Sequence, residues 1–151
     1  MVADVLARVW RRVFRQGKST TLDPSRADLV VVASGFDDAE ACSTALARAT
    51  ALTPDALAVL RHHLRIPPRH VETVCAIAAQ DGYAPAPQTV RPDSAQSPEW
   101  QTVVLQRVQL LDALHCAQER SRMAGLAQRH DGRADGWDAL QPNPRQPRLA
   151  D

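Results

Sequence analysis

Lysine, aromatic residues and long apolar runs are scarce in this 151-residue chain, and each scarcity narrows its role. Lys18 is the sole lysine among 18 basic residues. That arginine bias, with abundant alanine, reads as GC-rich coding and a bacterial source, and carries no functional message. Aromatics make up 4% of the chain, so aliphatic side chains must build the core that 44% hydrophobic content permits. No apolar run approaches the ~20 residues that span a bilayer. The N-terminal apolar residues are interleaved with arginines, unlike a signal peptide, and a cytoplasmic protein is expected. Net charge is only +1, which argues against a polyanion-binding surface over the whole molecule. Cys42, Cys75 and Cys116 contain no Cys-x-x-Cys pair, and lie beside apolar neighbours on expected helices as buried free thiols. His62, His63, His70 and His115 repeat no metal-ligand spacing. Gly82, Gly132 and Gly136 are isolated turn glycines and form no phosphate-cradling loop. No serine sits in a nucleophile elbow. The sequence therefore offers no catalytic residue, no cofactor site and no metal site.

What is present is best taken from the C-terminal half, where the pattern is clearest. Trp100 to Gln109 is a β-branched run of strand length. From Leu110 to His130 the apolar residues take helical spacing, with Leu110, Ala113, Leu114, Ala117, Ala124 and Ala127 predicted on one face and Gly132 as the left-handed cap. Arg120 falls within that face; a snorkelling stem or a buried pair with an acid such as Asp135 would account for it. Asp135 to Leu140 reads as a turn running into a second short strand.

Upstream, residues 1–18 form a basic amphipathic helix. Val2, Val5, Leu6, Val9 and Val13 make a stripe flanked by Trp10 and Phe14, with Arg8, Arg11, Arg12 and Arg15 opposite. These last six residues are the candidate partner-binding residues. Such a helix suits a protein groove, its own domain, a nucleic acid or an anionic membrane surface. Residues 19–26 read as a linker, 27–141 as the folded domain and 142–151 as a disordered tail. Asp28 to Ala33 is a buried strand. Asp37 or Asp38 is placed to cap a helix with face Ala39, Cys42, Ala45, Leu46 and Ala49. Thr53-Pro54-Asp55 reads as the start of another helix, through Leu57, Leu60 and Leu64 to Arg65. Pro67-Pro68 ends it, and a third helix follows on Val71, Val74, Cys75 and Ala78, with Gly82 beyond its end. As a recognition helix this last one is poorly equipped for DNA, because its exposed side lacks cations. Between Tyr83 and Pro98 four prolines confine any strand, with Gln88 to Arg91 the candidate, to a sheet edge.

The order predicts an α+β protein with two β-α-β halves, a ferredoxin-like sandwich. Its four-stranded antiparallel sheet would have the two Val-rich strands central and helices on one face. The open face would be left for a protein partner, a second copy or the N-terminal helix.

A set of short motifs between Leu57 and Pro144 resembles the RraB family, small regulators of ribonuclease E activity. They are His62-His63-Leu64, the helix end Asp81-Gly82-Tyr83, Leu111-Asp112-Ala113, Leu126-Ala127 followed by an acid, and Asp135-Gly136-Trp137 leading to Pro142-Asn143. The resemblance implies a ferredoxin-like fold and no catalysis of its own. It also implies a protein partner, an RNase E-type endoribonuclease whose cleavage of RNA the module restrains. Family members known for acidic surfaces and tails differ from this chain, which is near neutral and ends in Pro and Arg.

Overall fold

The structure, a computed structural model, describes residues 21–87 and 99–144. It is a mixed α+β protein with a single antiparallel sheet of five strands and three α-helices among the described residues. In chain order these are β1 (Leu29–Gly35), α1 (Cys42–Ala47), β2 (Ala58–Ile66), α2 (Val71–Gln80), β3 (Ala84–Pro85), β4 (Gln101–Gln109), α3 (Ala113–Gln128) and β5 (Arg133–Pro142). The strands lie in the order β1-β5-β2-β4-β3. The basic helix over 1–18, the strand over Gln88 to Arg91 and most of the tail fall outside the described residues.

The largest correction concerns β2. The spacing of Leu57, Leu60 and Leu64 predicts a helix, yet Ala58–Ile66 is the middle strand of the sheet, paired with β4 on one side and β5 on the other. The same residues also alternate. Leu60, His62, Leu64 and Ile66 are buried, while Arg61, His63 and Arg65 are half-buried on the opposite face. A short run that fits both periods is decided by its tertiary neighbours. Thr53-Pro54-Asp55 is accordingly a turn, closed by the Ala56 N–H on the Thr53 carbonyl. The Gln141 side-chain amide secures that turn, accepting from the Thr53 N–H and donating to the Thr53 and Ala56 carbonyls.

Strand positions change with it. β1, expected to be central, is an outer strand paired with β5 alone, and β5, expected at an edge, is sandwiched between β1 and β2. The other edge is β3, two residues opposite Leu105 and Gln106, where Pro85 loses nothing by lacking an N–H.

α2 ends as the sequence predicts. Gly82 takes φ +82°, its N–H donates to the Ala79 carbonyl, and the Tyr83 N–H reaches back to the Ala78 carbonyl, a Schellman closure. α3 is capped by Asp112, whose carboxylate accepts the His115 N–H at 2.8 Å. Its buried face is Cys116, Glu119, Met123, Leu126 and Ala127, rotated from the predicted one; Leu110 and Leu114 are exposed. The left-handed residue after α3 is Asp131, not Gly132. Asp37 makes a turn with the Ala39 N–H, and α1 has Ala41 at its N-cap and no side-chain cap.

Helices and sheet meet in two contiguous cores on one sheet face. Leu64, Ile66, Val103 and Leu105 pack with Val74, Ala78, Met123 and Leu126; Ala33, Leu60, Trp137 and Ala139 pack with Cys42, Ala45 and Cys116. Gly132 shows how tight the junction is. A Cβ there would lie 2.5 Å from the Arg65 carbonyl oxygen and 2.6 Å from Ile66 Cδ1. Because the first obstacle is backbone of the middle strand, Gly132→Ala is expected to lower stability by about 1–3 kcal/mol in denaturant titrations.

Candidate functional site

The two sheet faces carry different chemistry. On the helix-covered face, a polar network lies inside the core. Tyr83, 2% exposed, donates its hydroxyl to Glu119 Oε2 at 2.7 Å. Arg107 places its guanidinium 4.5 Å over the Tyr83 ring and 3.3 Å from Glu119 Oε1. It also donates to the Asp81 carbonyl and to Gln109 Oε1. Arg122 joins Asp81 at 3.1 Å. Burial pushes Glu119 up, but the Tyr83 hydroxyl and the Arg107 and Arg122 charges outweigh it, and its carboxyl is held below the usual range. Tyr83 moves the other way, raised by burial and by its bond to the carboxylate. His62 completes the cluster with its ring edge-on to Tyr83 at 5.7 Å. Its Nε2 has no hydrogen-bond partner, and burial depresses its pKa to about 4.

Around Glu119 the network is closed, its carboxylate taken up by Tyr83, Arg107 and Arg122, while the His62 Nε2 is left without a partner. A nucleophile or a general base needs a reacting atom within reach; here Glu119 is engaged by Tyr83, Arg107 and Arg122. Its role is to fix α3 and the end of α2 against β4.

The second sheet face begins at the β2–β5 pair. Arg61 grips Asp138 through two bonds of 2.6 Å, and His63 Nε2 lies 3.1 Å from the same carboxylate. Burial pushes Asp138 up, but the His63 and Arg61 bonds outweigh it and its pKa is lowered. Next along the strand, Arg65 holds Asp135 through two bonds of 2.8 Å, and Arg133 adds a second cation at 3.2 Å. Asp135 is thus occupied, and Arg120 turns elsewhere: it donates to the Glu40 carbonyl at 2.7 Å and the Asp37 carbonyl at 3.2 Å. Around this charged line stand apolar residues. Val31 is 51% exposed and Phe36 52%, with Phe36 against the His63 ring at 5.2 Å. Val59 is flanked in register by Val108 and Leu140.

Close backbone approach explains the glycines here. A Cβ on Gly136 would collide with Phe36 Cδ1 and lie 2.6 Å from the Gly35 carbonyl; one on Gly35 would strike the Trp137 indole at 2.5 Å.

The sequence singled out Arg8, Trp10, Arg11, Arg12, Phe14 and Arg15, and all six lie outside the described residues. Of the histidines, His62 and His63 are neighbours on β2 facing opposite ways, His70 stacks edge-on with His130, and His115 hydrogen-bonds Asp112 beside the α3 cap. No group of three or more metal-ligating side chains forms among the described residues. Among them, too, no helix is long and apolar enough to cross a membrane. Sequence reasoning missed Tyr83, Arg107 and Glu119, which stand far apart in the chain. Arg107 and Glu119 on otherwise inward-facing positions were the signal. Comparison with known proteins finds no matching family model, curated relative or solved structure.

Proposed function

We propose that this chain is a non-catalytic protein-binding regulator of the RraB kind, and that the second sheet face is its contact surface. The fold reading that supports this starts at β2 rather than β1. In the unit β2-α2-β3-β4-α3-β5, the strand order β5-β2-β4-β3 is that of a ferredoxin-like sandwich, with β1 added outside β5. The motifs resembling the family fall at its structural joints. Asp81-Gly82-Tyr83 closes α2, Asp112 caps α3, and Asp135-Gly136-Trp137 opens β5.

The observation that carries the functional reading is the exposed pair Val31 and Phe36 beside the Arg61–Asp138 and Arg65–Asp135 pairs. Exposed apolar side chains beside matched charge pairs are a surface that a protein partner can cover. The partner proposed is an RNase E-type endoribonuclease, with the effect a slowing of RNA cleavage. With the acidic and basic pairs on this face matched, the contact rests on shape and apolar burial more than on net charge.

The test is RNA cleavage by the purified endoribonuclease of the same host, with increasing amounts of full-length protein. Saturable slowing is expected. The double substitution Val31→Ser and Phe36→Ser, at half-exposed positions, should weaken it tenfold or more. A chain beginning at Asp23 separates the contribution of Arg8, Arg11, Arg12 and Arg15. Unaltered cleavage, or recovery of nucleic acid alone from a nuclease-treated capture, would refute the reading.

A further inference from the structure

We propose that Cys42 and Cys116 form a peroxide-responsive dithiol, a modification site that closes to a disulfide joining α1 to α3. The two residues are distant in the chain but share one core. Cys42, the first residue of α1, is 4% exposed, and Cys116, in the first turn of α3, is fully buried. Both belong to one core cluster with Ala45, Leu60, Leu111 and Trp137, where α1 packs on α3, and the Cys42 thiol is near enough to Cys116 to raise it. Arg120 sets that register. One turn beyond Cys116, it holds the carbonyls of Asp37 and Glu40 in the loop leading to α1. α1 is six residues long and lacks a side-chain cap, so it can make the small adjustment a disulfide dihedral requires. Cys75, on α2 and packed against the other core, provides an internal control.

Burial and the neighbouring Cys42 push the Cys116 thiol up, which keeps it protonated, so reaction begins at the more accessible Cys42. As a thiolate after local opening of α1, Cys42 Sγ attacks one oxygen of hydrogen peroxide. The O–O bond breaks, the displaced hydroxide takes up the proton Cys42 released and leaves as water, and a sulfenic acid remains. Cys116 Sγ then attacks the Cys42 sulfur. The S–O bond breaks, and the departing hydroxyl takes the Cys116 proton to leave as a second water. Two thiols are oxidised and one peroxide is reduced to two waters.

The test exposes reduced full-length protein to hydrogen peroxide, blocks remaining thiols with N-ethylmaleimide, and maps the digest by mass spectrometry. Expected is a Cys42–Cys116 peptide pair two hydrogens lighter than its reduced parts and released by dithiothreitol. Oxidation should also raise the melting midpoint, because the cross-link restricts the unfolded chain. Cys75→Ala should retain the linked pair, and Cys42→Ala and Cys116→Ala should each abolish it. Should either alanine variant fail to fold, the map of the unsubstituted protein decides alone. Recovery of Cys42 and Cys116 as alkylated thiols or sulfinic acids, under peroxide that oxidises Cys75, would overturn the proposal.

Discussion

Trp137→Ala is expected to lower the stability of this protein by about 3–5 kcal/mol and its melting midpoint by roughly 10–20 °C. Trp137 is the largest fully buried side chain, it stands in register with His62 on β2, and its ring lies against Gly35 of β1. It therefore joins three strands as well as the core beneath α1 and α3. Truncation leaves a cavity that the surrounding β-sheet backbone has little freedom to fill. Against a total stability of some 5–15 kcal/mol, such a loss leaves a protein that unfolds readily at moderate temperature. Trp137→Phe separates volume from polarity. The indole Nε1 has no hydrogen-bond partner, so removing it costs only the smaller ring, about 1–2 kcal/mol. Chemical denaturation of both variants, read by circular dichroism, checks the pair. Equal losses would mean that the indole N–H is bonded after all.

The parts of this fold legible in the sequence are those whose local signals agree with their tertiary setting. β1 and β4 are β-branched runs, and α2 has Gly82 where a helix must stop. β2 was not legible, because its leucines satisfy the helical and the strand period together, and His62 and His63 at its centre favour neither. Only pairing with two neighbours settles it, and that information lies in β4 and β5. The buried face of α3 was misread for a related reason. Leu110 and Leu114 look like core residues and are exposed, while Glu119 is buried because Tyr83, Arg107 and Arg122 compensate it. Arg120 did stand out from the sequence as misplaced. Its partners all lie in the loop after β1: the Glu40 and Asp37 carbonyls and, at 3.6 Å, the Asp38 carboxylate in place of Asp135.

His62 gives the second large effect, a loss of stability on mild acidification. Burial depresses its pKa to about 4 from an ordinary 6.5, so between those values the unfolded chain takes up a proton that the folded one refuses. Stability is therefore insensitive to this residue above pH 6.5, falls as pH drops from 6.5 to 4, and levels off below. The full depression corresponds to about 3 kcal/mol, an order-of-magnitude figure from ~1.4 kcal/mol per pH unit. Glu119 and Asp138 act in the next window down. Their folded values lie below the ordinary ones, so their contribution is present above the usual carboxylate range and is lost as pH falls through the lowered values. Two successive losses should thus appear in a pH series of urea titrations. His62→Phe keeps a ring beside Tyr83 and removes the titrating group; it is expected to abolish the decline between pH 6.5 and 4 while leaving the lower one in place. A decline unchanged by that substitution would assign it to another group and release His62 from the role. A decline that vanishes also identifies why β2 tolerates a histidine in mid-sheet: the imidazole is held neutral, its Nε2 unpaired, as a core side chain.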